Sequence, residues 1–258
     1  MMKLAVTGKG GVGKTTVAGT IARLLAARGN RVYAVDADPD ANLAAAIGFD
    51  PATADAIVPI AEMPQLVEER TGAAPGSQAP VFRMNPRVDD IPAELSVEAH
   101  GVHLLRLGTV KKGGSGCICP ESALLRSLLN HLILNEDDAV IVDMEAGIEH
   151  LGRATARGVD TMLVVVEPGR RSVHTADAIS RLAADIGITS LKLVVNKATG
   201  PDDAFCHELS GRYDVMGCLP FSEEVRRADL EESSPYDAAP SYRALVEEML
   251  DRLLDSLQ

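Results

Sequence analysis

Short apolar runs rich in β-branched residues recur along the chain at 4–7, 32–35, 102–105, 139–142, 161–166 and 191–195. Each is too short for a helix, and several are apolar at every position instead of alternating, as strands are when both faces are covered. Segments of helical period lie between them. Residues 15–28 read as a helix with Gly29 as its stop and 31–36 as the strand that follows. The end of the chain, 242–257, places Leu245, Met249, Leu253 and Leu257 on one helical face and predicts a closing amphipathic helix. Residues 51–100 break the rhythm with seven prolines and read as an irregular excursion with at most short helices. The pattern predicts an α/β fold, a mainly parallel sheet with helices on both faces.

Composition narrows this. With 258 residues, 46% apolar and 24% charged, the chain has material for one sizeable core, and we read 1–258 as a single domain. A net charge of -12 leaves no broad footprint for phosphate backbones or anionic lipid, so neither nucleic acid nor membrane is expected as a partner. No apolar segment approaches the ~18 residues of a membrane span, and a cytoplasmic protein is expected. Four cysteines are too few for a disulfide framework, and two of them, Cys117 and Cys119, stand two apart, which suggests a reducing compartment and metal chemistry.

Gly8-Lys9-Gly10-Gly11-Val12-Gly13-Lys14-Thr15 matches G-x-x-x-x-G-K-[ST] between a predicted strand and a predicted helix. Glycines there let successive backbone N–H groups converge on phosphate oxygens, and the helix N-terminus adds partial positive charge. Gly10, Gly11, Val12, Gly13, Lys14, Thr15 and Thr16 are the expected nucleotide contacts, with Lys14 on the outer phosphates and Thr15 on Mg²⁺. The expected ligand is ATP or ADP with Mg²⁺, and the fold is a P-loop NTPase.

The stretch from Lys9 to Thr16 resembles the deviant Walker A ATPases that include MinD, ParA and nitrogenase iron protein. In that family the early lysine crosses a dimer interface to the partner's phosphates, which implies a nucleotide-dependent homodimer with Lys9 acting in trans like an arginine finger. Asp36-Ala37-Asp38-Pro39-Asp40-Ala41-Asn42 follows a strand, at the sheet edge where ligands of such folds bind. It resembles the family's switch I, and the resemblance puts Asp38 where the attacking water is positioned. Asn42 stands where nitrogenase iron protein has aspartate, and Asp36 reads equally well as a turn-and-cap residue. The apolar strand 139–142 ending in Asp143 is a Walker B arrangement, with Asp143 on Mg²⁺ directly or through water. Met144-Glu145-Ala146-Gly147 resembles switch II, with Glu145 either supporting the site or simply exposed. Asn196 and Pro220 match positions that contact adenine in this family.

Cys119 precedes Pro120, Glu121 and an apolar series at Leu124, Leu125, Leu128, Leu129 and Leu132, which places it at a helix N-cap with glycines before it. A helix N-terminus favours the thiolate. One Cys-x-Cys cannot complete a tetrahedral site, but the same pair from a symmetry mate would make a four-thiolate site for Zn²⁺, Ni²⁺ or an iron-sulfur cluster, shared between two subunits. Cys206, with its neighbour His207, and Cys218 lack such spacing and read as core or surface residues; His100 and His103 read as surface.

From the phosphate loop through Cys-x-Cys, the string from Asp143 to Arg153, and Asn196, the chain is similar to the CooC-type accessory ATPases of carbon monoxide dehydrogenase. The resemblance implies an ATP-hydrolysing metallochaperone that delivers or gates nickel for that enzyme's active-site assembly. An accessory ATPase for acetyl-CoA synthase shares the same motifs, and an ATP-dependent iron-sulfur reductase stays open. A positioning ATPase of the MinD or ParA kind is disfavoured, because Glu247, Glu248, Asp251 and Asp255 make the terminal helix acidic where a membrane-seeking one is basic.

Overall fold

A computed structural model describes residues 2–76, 81–108, 119–135, 138–146, 156–200 and 203–257. In chain order the elements are β1 (Lys3–Gly8), α1 (Lys14–Ala27), β2 (Val32–Ala37), α2 (Leu43–Ile47), α3 (Pro51–Ala56), α4 (Pro64–Thr71), α5 (Ile91–Leu95), β3 (Val97–Ala99), β4 (Val102–Arg106) and α6 (Pro120–Asn135). They continue with β5 (Ala139–Met144), β6 (Thr161–Val166), α7 (Arg170–Ile186), β7 (Leu191–Ala198), α8 (Ala204–Ser210), β8 (Val215–Pro220), α9 (Glu223–Leu230), α10 (Pro235–Ala238) and α11 (Pro240–Asp255).

The strands form an eight-stranded sheet in the order β3-β4-β2-β5-β1-β6-β7-β8, parallel throughout except for the edge pair β3–β4. Period-two alternation deals the apolar residues to two cores. Leu4, Val6, Ala34, Ile141, Leu163 and Val165 face the layer that holds α1 and α11. Ala5, Tyr33, Val35, Val140, Val142, Met162 and Val164 face the layer that holds α6 and α7. Continuous apolar runs in the sequence are therefore strands buried on both sides, as expected.

Among its described residues the excursion at 51–100 contains only short helices, a 3₁₀ turn at Ile60–Glu62 and the edge strand β3. Its Gly76 N–H donates to Glu121 Oε1 at 2.7 Å, joining it to the first turn of α6. Gly19, in mid-helix, sits where a Cβ would come within 2.7 Å of Ala46, so α2 packs directly on the backbone of α1.

Cys206 is buried in the core and Cys218 packs against it, as read, but their spacing carries no sign that they pair. Cys206 and Cys218 are not unrelated residues: α8 folds back between β7 and β8, brings their Cα atoms to 6.4 Å, and a disulfide joins them. That pairing depends on the order of elements, which spacing alone does not reveal. Cys117 lies outside the described residues, and Cys119 is a free, half-buried thiol.

Candidate nucleotide-binding site

Parallel strands deliver their carboxyl ends to one edge, and the predicted site residues meet there. Register sets Asp143 beside Val6 on one side and beside Asp36 on the other. β1 runs into the phosphate loop and α1, β7 ends with Asn196 and Lys197, and β8 ends with Pro220. Between them opens a cavity of about 800 Å³ lined by Gly10, Gly11, Gly13, Lys14, Thr15, Thr16, Asp38, Asn196 and Pro220.

The loop's shape depends on Gly13, whose φ of 91° is left-handed and whose absent Cβ would lie 2.3 Å from Asn196 Nδ2. Both facts exclude a side chain. Gly13→Ala should cost about 2 kcal/mol by thermal unfolding and abolish nucleotide binding by calorimetry. The family resemblance implies a base contact for Asn196; the structure shows it holding the loop, its amide donating to Val12 O at 2.8 Å while 5% exposed. Its Oδ1 remains available to a ligand.

Lys14 Nζ lies 2.5 Å from Asp38 Oδ2, with side-chain exposures of 10% and 4%. Two residues predicted for opposite ends of the chemistry thus neutralise each other, which spares both an unpaired buried charge. Thr15 Oγ1 donates to Asp143 Oδ2 at 2.6 Å, whereas Asp143 Oδ1 is buried with no hydrogen-bond partner. A buried carboxylate oxygen without a partner, next to a threonine hydroxyl, fits the oxygen-rich surroundings a Mg²⁺ requires. Desolvation pushes the Asp143 carboxyl up to about 7, against the lowering effect of the Thr15 hydrogen bond and with the charge of Asp36 adding to the rise.

Asp36 makes the turn-and-cap bonds. Its two oxygens accept from Asp38 N at 3.3 Å and Leu43 N at 3.1 Å, closing the turn from β2 into α2, and desolvation pushes its carboxyl up to about 6. Asn42 is exposed and folds onto Asp40 O at 2.8 Å. Glu145 has an exposed side chain, and its carbonyl accepts from Thr7 Oγ1 at 2.6 Å. Gly147 lies outside the described residues.

Lys9 is exposed on the crest of the loop together with Gly10 and Gly11. Cys119 caps α6 as predicted, its carbonyl accepting from Ala123 N at 3.1 Å and its Sγ 3.1 Å from Ser122 Oγ. Among the described residues no cluster of three or more His, Cys, Asp and Glu side chains could hold a metal. His100 is exposed, with Nε2 3.0 Å from Gly48 O, and His103 packs on Tyr33.

Sequence reasoning missed Lys197. In left-handed backbone at φ 57°, it donates to Gly11 O at 2.5 Å and lies 3.6 Å from Glu167, so the end of β7 clasps the phosphate loop twice. Its place directly after Asn196 at a strand end was the available signal. Arg106, also on the cavity wall, gave none, because it reaches the site through the β2–β4 register opposite Asp36.

A phosphate loop, a buried lysine, a Thr–Asp pair and acidic switch segments on a parallel sheet define a P-loop ATPase. Residues 3–236 match the CobQ/CobB/MinD/ParA nucleotide-binding domain, and the chain belongs to that family of ATP-hydrolysing proteins. It is 46% identical over 255 residues to the carbon monoxide dehydrogenase accessory protein CooC of Rhodospirillum rubrum, covering 98% of this chain and 97% of that one. It is also 46% identical over 233 residues to an uncharacterized ATP-binding protein of Methanocaldococcus jannaschii, covering 88% of each. Among solved structures, a ParA family ATPase from Chlorobium tepidum superposes with a TM-score of 0.69 at 17% identity, over 98% of this chain and 99% of that one.

Proposed function

We propose that the chain is a single-domain maturation ATPase for carbon monoxide dehydrogenase, working as a nucleotide-dependent homodimer with nickel as its cargo. The observation that carries this reading is the end-to-end 46% identity to the accessory protein of Rhodospirillum rubrum. The geometry supports the nucleotide half of it. The loop amides and Lys14 receive the phosphates, which requires Lys14 to leave Asp38 and frees that carboxylate to position the attacking water. Thr15 and Asp143 would hold Mg²⁺, which supplies charge neutralisation at the phosphoryl oxygens. Asn196 Oδ1 and Pro220 flank the adenine ring. Lys9, exposed on the loop crest, reaches the partner's phosphates, so that turnover depends on closure of the dimer.

In the closed dimer Cys117 and Cys119 of both subunits would form a four-thiolate site for Zn²⁺ or Ni²⁺, with Cys119 presented by the head of α6. A membrane role is not supported. No helix among the described residues is long and apolar enough to cross one, and α11 buries Val246, Met249, Leu250 and Leu253 while Arg28 pairs with its Glu247 and Asp251. A net charge of -12 likewise offers nothing to nucleic acid. We place the protein in the cytoplasm; Cys206 and Cys218 do not line the cavity.

Elemental analysis of anaerobically purified protein tests the proposal. One Zn or Ni per two chains in colourless protein is expected, lost in Cys117→Ala/Cys119→Ala while ATP binding persists. Metal retained at full stoichiometry by the double variant would remove the thiolate site, and iron with sulfide at cluster stoichiometry would make the protein a reductase.

A further inference from the structure

Among the described residues four cations line the cavity, and three of them are committed. Lys14 pairs with Asp38, Lys197 donates to Gly11 O and lies 3.6 Å from Glu167, and Arg226 pairs with Glu223 within α9. Arg106 differs. Its side chain is half-buried, Nη1 donates to Ile57 O at 3.2 Å, Nε is buried with no hydrogen-bond partner, and no carboxylate pairs with it among the described residues. A guanidinium held partly out of water ordinarily has an anion, because unpaired donors and unpaired charge are both costly there.

The surroundings single out one carboxylate. The β2–β4 register sets Arg106 opposite Asp36, and Leu107 N donates to Asp36 O at 2.9 Å, so the root of the arginine is fixed to the root of the 36–42 turn. Desolvation raises the Asp36 carboxyl and the charge of Arg106 works against that rise, so the guanidinium acts on this turn already. Asp36 itself is occupied, since its oxygens accept from Asp38 N and Leu43 N. Asp40 and Asp55, also on the cavity wall, are exposed and solvated. Asp38 is 4% exposed, hangs by its backbone from the Asp36 carboxylate, and has Lys14 as its cation. Once Lys14 turns to the phosphates, Asp38 becomes a buried carboxylate in want of a counter-ion.

We infer that Arg106 is a positioning residue for hydrolysis: when Lys14 turns to the phosphates, the guanidinium takes over as counter-ion of the 36–42 turn and holds the Asp38 carboxylate in place. This rests on the roles proposed above for Lys14 and Asp38. Arg106 need touch neither phosphate nor water; it acts through Asp38.

Phosphate release at saturating Mg-ATP and one high protein concentration, measured on wild type, Arg106→Gln, Asp38→Asn and the double variant, tests this, with Mg-ADP affinity by calorimetry alongside. Arg106→Gln should lose about 30-fold in kcat while ADP affinity stays within about threefold. Arg106→Lys, which restores the cation without the planar fork, should recover most of that loss. In the Asp38→Asn background Arg106→Gln should cost less than about threefold, because the carboxylate it serves has gone. An equal loss in both backgrounds, or a loss that lysine does not relieve, marks a structural role at Ile57 and overturns the inference, as does wild-type kcat in Arg106→Gln. Wild-type turnover by Asp38→Asn would instead remove the role proposed for Asp38, and the inference with it.

Discussion

Lys9→Gln is expected to keep the ATP affinity of the monomer within about threefold of wild type while losing ATP-induced dimerisation and about 10³-fold or more in hydrolysis. The split follows from where the residue sits. Lys9 is exposed, and no bond of its side chain shapes the loop; the glycine amides, Lys14 and the Asn196 and Lys197 clasps all survive the change. A neutral side chain of similar length preserves the loop's path and removes only the cation. That cation matters when negative charge builds on the transferring phosphoryl group, and in the dimer proposed above it comes from a second subunit. Wild-type turnover per chain should therefore rise with protein concentration, and turnover of the variant should stay flat. Light scattering with and without ATP, next to phosphate release over a concentration series, reads both effects. Normal turnover by Lys9→Gln would end the in-trans mechanism.

What the sequence made legible follows the range of the interactions involved. The phosphate loop was readable because it builds its own geometry within eight residues, and Cys119 was readable as a cap because Pro120 starts α6 locally. Asp38 was assigned by the resemblance of its segment to the family's switch I and Asp143 by its place at the end of an apolar strand, and the structure sets both at the carboxyl edge of the parallel sheet. Other features needed the third dimension. β8 is absent from the apolar runs read in the sequence, because Gly217, where a Cβ would come within 3.2 Å of Met249, breaks its pattern. Arg106 joins the site only through strand register, and Tyr242 only because the N-terminus of α11 packs beside the end of β8. The Cys206–Cys218 pair likewise depends on α8 turning back over the sheet edge. Asn196 lines the cavity and also holds the phosphate loop, a task the sequence did not give it, since the closeness of β7 to Val12 cannot be inferred from either segment alone.

Asp143→Asn should separate stability from activity in opposite directions. The Asp143 carboxyl is pushed up to about 7 and that of Asp36 up to about 6, chiefly because both are desolvated, with the charge of Asp36 adding to the rise at Asp143 and that of Asp38 adding at both. The native state therefore holds protons that the unfolded chain releases near pH 4, and nucleotide-free protein should lose stability as pH rises from about 4 to about 7. Below that window the two states are equally protonated and the penalty vanishes; above it the penalty is complete. Asparagine keeps the shape and the acceptor for Thr15 but has no charge to desolvate. Nucleotide-free Asp143→Asn in EDTA should accordingly be more stable than wild type by about 2–4 kcal/mol at about pH 8, with the gap shrinking toward about pH 5. Hydrolysis should meanwhile fall by about 10²-fold or more, because the carboxylate that would hold Mg²⁺ is gone. Mg-ADP should flatten the pH slope of wild type more than that of the variant, since Asp143 is the buried anion the cation would neutralise and the part of the slope due to Asp36 is common to both. Denaturant melts at the two pH values decide the matter: a variant no more stable than wild type at the higher pH would mean that Asp143 is not the unpartnered buried charge its orphaned oxygen indicates.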